Sequence, residues 1–324
     1  MAVPEIILFD YQYAPNAQRA RNLLNLCNIP YKICEQPFVQ PRPILQDLGI
    51  TYRRIPVNSI GKDVYCDNRV FLPAILDLFK DEPGVKALVR GKADYAYEAF
   101  GYRMFWVLLD ILPDTVFNEV MVKDRADLFG GMGREDYRET RPSNIEAFKE
   151  FLDIIENEFL AGDEPFIAGE KPGIADLQVV WIPKFALETI AYSSMDGQGM
   201  GAASYPKLHA WLKRFEDHTP ENEREKISGE EASRRVLAQS YAETRSLGVE
   251  ANLEGVCEGD VVDVVTTDDT RPGNMAQRGR LVGLDRREIV VVLGNGGRVH
   301  FSRIGYAIKK VAEKEAEEWL ERQW

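Results

Sequence analysis

Short apolar runs alternate with helical patterns through the first 84 residues of the chain. The apolar run at 5–9 predicts a buried strand. Pro15 suits the first turn of a helix, and the apolar spacing predicts that this helix continues to Cys27. Further signals predict strands at 31–35, around 54–57 and at 64–65, and a helix over 67–79. The order β-α-β-loop-β-β-α is typical of one compact α/β domain.

From residue 85 to about residue 215 the apolar positions recur with the period of a helix. This pattern predicts long helices over 94–111, 143–159, 175–190 and 206–217. No strand signal interrupts them, so we expect an all-helical second domain. A charged segment at 219–226 is typical of a linker.

The pattern changes again after residue 226. Ser228 to Glu231 matches the capping box S-x-x-E and predicts a helix that ends near Arg245. Five strands separated by turn signals are then predicted, at 259–265, 280–284, 288–293, 298–302 and 306–308, before a charged helix at 312–323. We expect the strands to form a small SH3-like β-barrel. The predicted domains are therefore 1–84, 85–225, a capped helix with linker at 226–254, and 255–324.

Composition narrows the class of protein. The 324 residues are 45 % hydrophobic and carry a net charge of −12, most of it in residues 85–225. A chain of this length buries a sizeable core, and its acidic balance argues against a general nucleic-acid partner. No apolar window approaches the ~18 residues that a membrane span needs. We see no signal peptide, and we expect a soluble, cytoplasmic protein without a membrane partner.

The cysteines and histidines give no sign of a metal site. The four cysteines form no C-x-x-C pair, and the three histidines are scattered along the chain. We therefore expect no bound metal and, in a reducing compartment, free thiols.

Four motifs point to a known family. Ile55-Pro56 precedes a strand, Asp67-Asn68 opens a helix, and Ala14-Pro15 marks a strand-to-helix entry near the start of the chain. In the helical region, Gly173 to Asp176 is similar to an S-[IV]-A-D helix cap, with a glycine that is tolerated as an N-cap. Together these residues resemble the glutathione transferase family over about residues 5–218, with 52–69 looking closest to fungal members.

The resemblance implies a thioredoxin-like first domain that binds glutathione, followed by a helical domain. Ile55 would offer its backbone to the cysteinyl part of glutathione, and the Ile55–Pro56 peptide bond would be cis. Asp67 and Asn68 would hold the γ-glutamyl end. The family also implies a homodimer and a small hydrophobic electrophile as the second substrate.

The chain departs from the family pattern at the position that activates the thiol. Ser or Cys usually precedes the proline of the first helix, whereas this chain has Ala14, whose methyl group cannot donate a hydrogen bond. Tyr13, Tyr11 and Asn16 are the alternative donors, together with the backbone N–H groups of the helix start. Strand alternation predicts that Tyr11 and Tyr13 point to the same side.

Aromatic residues in the first long helix of the second domain have two interpretations. At least half of them are expected in the core. Tyr97, Phe100 and Phe105 are the candidates for lining an apolar substrate pocket that faces Tyr13. Three arginines near the first site, Arg53, Arg54 and Arg69, either bind a carboxylate or form surface ion pairs, and we favour the ion pairs.

These observations leave three functional hypotheses. The first is a glutathione-dependent enzyme, either a transferase or an isomerase or lyase that uses the same thiolate, with specialised metabolism as a candidate setting. The second is a non-catalytic ligand-binding or interaction protein on the same fold, which Ala14 favours. The third is an enzyme that uses the interdomain pocket without glutathione. For the C-terminal barrel we expect a packing or dimer-supporting role, so that its removal after Gly248 leaves glutathione binding intact.

Overall fold

The structure of the protein is a computed structural model that describes residues 4–113, 118–129, 134–189, 198–220, 224–242, 247–250, 255–268, 271 and 275–323. The chain divides into two compact units. The first comprises Met1–Ala20, Pro30–Lys80 and Glu223–Trp324, and the second comprises Arg21–Ile29 and Asp81–Asn222.

The N-terminal part of the first unit has the predicted element order. Its strands are β1 (Ile6–Asp10), β2 (Lys32–Glu35), β3 (Val57–Ile60) and β4 (Asp63–Cys66). Its helices are the beginning of α1 (Pro15–Leu26), which continues into the second unit from Arg21 onward, a short α2 (Pro43–Asp47) and α3 (Asn68–Leu78). Strands β1 and β2 are parallel, whereas β3 is antiparallel to both β1 and β4. This arrangement confirms the predicted thioredoxin-like domain.

The C-terminal part contains five strands, as predicted. They are β5 (Val261–Thr266), β6 (Ala276–Leu284), β7 (Glu288–Val292), β8 (Arg298–Ser302) and β9 (Tyr306–Lys310). Strands β5 to β8 form an antiparallel meander, and β9 returns to pair with β5. The predicted turn after β7 is present, because Leu293 donates to the Gly297 carbonyl at 2.9 Å.

The two sets of strands form one sheet. Strand β8 pairs in parallel with β4, and the described strands run in the order β2-β1-β3-β4-β8-β7-β6-β5-β9. A single buried core underlies the junction and includes Val57, Cys66, Leu281, Val299 and Phe301. The C-terminal strands therefore pack as a continuation of the N-terminal sheet.

This continuity corrects two expectations. Residues 255–324 were predicted as a separate domain, but they belong to the same compact unit as the N-terminal strands. The predicted SH3-like barrel is not confirmed, because the described strands form an open sheet in which the outer edge of β8 pairs with β4. The physical reason is a parallel pairing across more than 200 residues, for which a sequence has no local signal.

Residues 224–242 are hydrogen-bonded to the N-terminal part of the first unit. The Ile33 N–H donates to the Glu225 carbonyl, and the Ile227 N–H donates back to Ile33, both at 3.0 Å. Ser228 caps the next helix, α10 (Gly229–Ala238), by accepting from the Glu231 N–H at 3.2 Å. Ser228 is thus confirmed as the N-cap, although the helix ends at Ala238 and residues 243–246 lie outside the described part of the chain.

The second unit is helical, as predicted. It contains α4 (Pro83–Ala87), α5 (Asp94–Leu109), α6 (Glu119–Arg125), α7 (Tyr137–Ile154), α8 (Ile174–Lys184) and α9 (Pro206–His218). Single π-helical turns, Ile155–Phe159 and Phe185–Thr189, continue α7 and α8. The first unit ends in α11 (Glu313–Gln323). Among the described residues, no helix is both long and apolar enough to cross a bilayer.

The Gly173–Asp176 motif caps α8 in the way its sequence predicts. The fully buried Asp176 carboxylate accepts from the Gly173 N–H at 3.0 Å and from the Trp211 indole at 2.8 Å. It also accepts from the N–H groups of Ile167 and Ala168. Burial nevertheless raises the pKa of Asp176, because desolvation outweighs these hydrogen bonds.

Candidate functional site

Strand register brings the three N-terminal motif segments to one end of the sheet. Phe9 pairs with Val57, and Val57 pairs with Cys66. Strand β1 therefore ends beside the residues that enter β3 and the residues that leave β4. The turn at 11–14, the Ile55–Pro56 dipeptide and the start of α3 follow these strand ends directly, so they form one cluster.

The Ile55–Pro56 peptide bond is cis, as the resemblance implied. Ile55 is half-buried and Pro56 is buried at the entry to β3. The segment before it is held by the buried guanidinium of Arg42, which donates to the carbonyls of Arg53 and Pro37. The backbone that precedes the proline is thus fixed from one side by a buried cation.

Asp67 has an unusual backbone conformation for a residue other than glycine. Its φ is +101°, and its carboxylate caps α3 by accepting from the Arg69 N–H at 3.3 Å. A non-glycine residue in this region carries a strain of about 1–3 kcal/mol, and such residues concentrate at functional sites. The half-buried carboxylate of Asp67 therefore lies at a strained helix start beside the cis-proline segment.

Asn68 joins the start of α3 to the start of α1. Its side chain is fully buried, and its amide nitrogen donates to the Asn16 carbonyl at 2.6 Å and to the Asn16 side-chain oxygen at 3.1 Å. Its own Oδ1 is buried without a hydrogen-bond partner among the described residues. Asn68 therefore fixes the start of α3 against the start of α1 and keeps one unused acceptor.

The residues proposed to activate a thiol have different surroundings. Ala14 is 2 % exposed, and its N–H donates to the Tyr11 carbonyl at 3.0 Å, which closes a turn. The Tyr11 ring packs edge-on against Phe38 at 5.3 Å, whereas Tyr13 is 58 % exposed. Strand alternation does not extend to these tyrosines, because β1 ends at Asp10 before the turn begins.

Arg54 has surroundings that sequence reasoning missed. Its Nη1 donates to Asp268 Oδ1 at 2.7 Å in an exposed ion pair of the kind that the sequence favoured, although the Arg54 side chain itself is only 17 % exposed. The Arg54 Nε and Nη2 atoms are buried without a hydrogen-bond partner in the described part of the chain. Nearby, the Tyr52 and Tyr306 hydroxyls are hydrogen-bonded at 2.8 Å, and burial raises the pKa of both phenols well above the usual value. No local pattern signals contacts between residues so far apart in the sequence.

The three aromatic candidates for a substrate pocket lie on α5 in the second unit and are half-buried. Tyr97 and Phe100 pack against Phe159 at 5.0 and 4.8 Å. Phe105 packs against Trp181 at 5.4 Å. Each ring therefore has one side in the helical core, and each retains some exposed surface.

The described residues contain no group of three or more side chains that is suited to hold a metal ion.

Comparisons with known proteins agree with this arrangement. Residues 8–83 match the family described as "Glutathione S-transferase, N-terminal domain", and residues 110–224 match a family described as "Domain of unknown function (DUF7962)". A glutathione S-transferase U4 from Arabidopsis thaliana is 20 % identical over 219 residues, which are 66 % of this chain and 85 % of that protein.

One solved structure extends the similarity of fold to the C-terminal strands. A GST-like protein from Pseudomonas syringae aligns with 95 % of this chain and 100 % of its own, with a TM-score of 0.63 and 21 % identity. A rice GST1 in complex with glutathione aligns with 71 % of this chain and 95 % of its own, with a TM-score of 0.44 and 21 % identity. The predicted resemblance to the glutathione transferase family is therefore confirmed, with residues 8–83 matching the glutathione S-transferase N-terminal domain.

Proposed function

We propose that the protein is a glutathione-dependent enzyme that adds the glutathione thiolate to a hydrophobic electrophile. It acts as a transferase, or as an isomerase or lyase that releases glutathione again. One observation carries the proposal: in a chain with a glutathione S-transferase N-terminal domain, the cis Ile55–Pro56 bond, the strained Asp67 and the start of α3 lie at one end of the sheet.

The residues at this end fit the charges of glutathione, which has an ammonium group and two carboxylates. Asp67 suits the γ-glutamyl ammonium, and the positive end of the α3 dipole suits the carboxylate beside it. The buried Nε and Nη2 of Arg54 lack a partner among the described residues, and they suit the glycine carboxylate at the other end. Ile55 would bind the peptide between them through its backbone.

Glutathione, when bound, supplies the thiol whose thiolate form adds to an electrophilic carbon. Ala14 contributes no side-chain donor toward a thiolate. The proposed donors are therefore the hydroxyls of Tyr13 and Tyr11, the amide of Asn16 and the N–H groups at the start of α1. A donor to the thiolate lowers the pKa of the thiol and raises the reactive fraction at neutral pH.

The electrophile is proposed to contact the exposed surfaces of Tyr97, Phe100 and Phe105, because these aromatic rings suit an apolar molecule. The homodimer, the cytoplasmic localisation, the fungal origin and the role in specialised metabolism stay predictions from the sequence.

One observation favours a second candidate function. Ala14 stands where the family usually has a hydroxyl or thiol donor, and it is buried. A protein that binds glutathione or another ligand on this fold without conjugating it would have no need of that donor. A glutathione-independent enzyme is the third candidate.

Calorimetric titration of the full chain tests these candidates, with glutathione compared against its α-linked isomer, Glu-Cys-Gly. The isomer has the same charges but places the ammonium and its carboxylate differently. We expect glutathione to bind at least about tenfold more tightly, since one misplaced charge-assisted hydrogen bond has that effect. Conjugation of a generic aryl halide then separates the enzyme from the binding protein. Equal binding of the two peptides, or no binding, would overturn the proposal and leave the glutathione-independent enzyme.

A further inference from the structure

The segment that leads into the cis-proline is fastened to the C-terminal strands over several residues. The Leu48 carbonyl accepts from the Asn295 amide, and the Gly49 carbonyl accepts from the Gln277 amide, both at 2.9 Å. Thr51 donates its N–H to the Gln277 side-chain oxygen at 2.8 Å and its hydroxyl to the Ala276 carbonyl at 2.6 Å. Residues 48–51 are thus held by β6 and by the turn before β8.

Two further contacts hold the last residues before Ile55. The Tyr52 hydroxyl is bonded to the Tyr306 hydroxyl, and Arg54 is bonded to Asp268. The pairing of β5 with β9 sets Tyr306 opposite Thr266, two positions before Asp268. One corner of the C-terminal sheet therefore supplies both partners.

We infer that Asp268 and Tyr306 are positioning residues for the glutathione site, so that the C-terminal strands complete this site. The inference rests on the proposed function and deepens it. In this arrangement Asp268 and Tyr306 fix Arg54 and Tyr52, and Arg54 then meets the glycine carboxylate of glutathione in a fixed orientation.

The guanidinium geometry supports this role for Asp268. Elsewhere in the same unit, two arginines hold a carboxylate through the pair of nitrogens Nε and Nη2. Arg298 holds Asp63 in this way, and Arg278 holds Asp263. Arg54 differs, because Asp268 takes only Nη1, while Nε and Nη2 are buried without a partner among the described residues. Asp268 thus orients Arg54 and leaves without an anion the pair of nitrogens that can donate two parallel hydrogen bonds to one carboxylate.

The negative charge of Asp268 repels a ligand carboxylate only weakly and does not prevent its binding to Arg54. Its side chain is 45 % exposed, so water and salt screen its repulsion of an incoming carboxylate. The Arg54 guanidinium is mostly buried and keeps a strong interaction with a ligand. Asp268 therefore acts mainly through the hydrogen bond that fixes the position of Arg54.

Calorimetry on full-length variants tests the inference with glutathione and with γ-glutamylcysteine, which lacks the glycine residue. We expect Asp268→Ala to weaken glutathione binding about tenfold and to change γ-glutamylcysteine binding less than twofold. Asp268→Asn keeps an acceptor oxygen for Nη1 and should restore glutathione binding to within about threefold of the wild type. Tyr306→Phe should also weaken glutathione selectively. Asp263→Ala breaks another arginine pair of the same sheet, and as a control it should change neither ligand.

Three results would overturn the inference while the proposed function stands: unchanged glutathione binding by Asp268→Ala, no rescue by Asp268→Asn, or equal losses for both ligands. The last result would indicate a general effect on the fold. If the wild-type protein does not bind glutathione, the proposed function fails and the inference fails with it.

Discussion

Asp63 on β4 and Arg298 on β8 are paired residues of adjacent parallel strands, and their side chains form a buried bidentate ion pair. The Arg298 Nε and Nη2 atoms donate to the two carboxylate oxygens at 2.5 and 2.8 Å. His300 Nε2 lies 3.0 Å from Asp63 Oδ1, and the Ala242 N–H donates to Oδ2 at 2.8 Å. One fully buried carboxylate thus binds β4, β8 and the residues after α10 together.

We expect Asp63→Ala to lower the free energy of unfolding of the first unit by about 3–5 kcal/mol, because it leaves Arg298 buried without its anion. Urea unfolding followed by circular dichroism measures the change. The control is Glu35→Ala, which removes an exposed pair with Lys226 in the same unit and should cost less than about 1 kcal/mol. Equal effects of the two substitutions would contradict a stabilising role for the buried pair.

The shared core reverses the expectation that the C-terminal region can be removed. Ending the chain after Gly248 deletes β5 to β9, uncovers the edge of β4 and exposes the core around Val64 and Cys66. We expect the truncated chain to lose cooperative unfolding of the first unit, to aggregate and to bind no glutathione. Size-exclusion chromatography and calorimetry provide the measurements.

A matched truncation separates loss of the sheet from loss of chain length. Ending the chain after Ala312 removes α11 and keeps all nine strands. We expect this shorter deletion to unfold cooperatively. A folded, glutathione-binding product of the longer deletion would show that the C-terminal strands are dispensable after all.

The sequence predicts the strands and helices of the first unit, but it does not predict that β8 of the C-terminal part pairs with β4 of the N-terminal part. Strand and turn signals are local, so β5 to β9 and the turn before Arg298 were predicted with small boundary errors. The pairing of Asp63 with Arg298 joins residues 235 positions apart, and each looks like an ordinary polar strand residue. The available hint was a charged or imidazole side chain in an apolar strand, as at His300, since buried polar groups need partners.

For the candidate site as well, the sequence indicated residues but not their long-range contacts. The resemblance indicated Ile55, Pro56 and Asp67, and the structure brings them to one end of the sheet. The roles of the tyrosines were less predictable, because the turn at 11–14 ends the strand on which the alternation argument depended. An ion pair was the favoured prediction for Arg54, but its partner Asp268, 214 positions away, has no sequence signal.

Asp67 provides the direct test of the γ-glutamyl subsite. We expect Asp67→Ala to weaken glutathione binding by about 1.5–3 kcal/mol, roughly 10–150-fold, which is the range of a charge-assisted hydrogen bond. Asp77→Ala, an exposed acidic residue of the same helix α3, is the matched control and should have no effect. An unchanged dissociation constant in Asp67→Ala would remove this residue from the site.

The thiols should differ sharply in reactivity. Burial raises the pKa of Cys27 and Cys34 to about 11 and raises the pKa of Cys66 well above its usual value, whereas Cys257 is exposed. At pH 8 a thiol of pKa 11 is ionised in only about one molecule in a thousand. We expect a disulfide reagent to label one thiol per native chain rapidly, none in Cys257→Ser, and four in denatured wild type. Rapid labelling of a second native thiol would contradict the burial.

Ala14 allows a gain-of-function test of the chemistry. The residue precedes the first turn of α1, and its methyl group stands where a serine would present a hydroxyl. If a donor at this position reaches the thiol of bound glutathione, Ala14→Ser lowers the pKa of that thiol by about 1–2 units. Below that pKa the thiolate fraction then rises roughly 10–100-fold, and conjugation of an aryl halide accelerates by roughly 3–16-fold, because a less basic thiolate is a weaker nucleophile.

The pH profile distinguishes this effect from a change in binding. We expect the conjugation rate of Ala14→Ser to reach its plateau about 1–2 pH units below that of the wild type, with the glutathione dissociation constant changed less than threefold. Ala14→Gly adds no donor and should leave the profile in place.

Tyr13→Phe should lower the rate if Tyr13 is the natural donor, and Tyr95→Phe, another exposed tyrosine, is its control. If glutathione binds but Ala14→Ser and Tyr13→Phe both stay at the background rate, the transferase proposal is wrong. The non-catalytic binding protein then becomes the better description, because the site would hold glutathione without activating its sulfur.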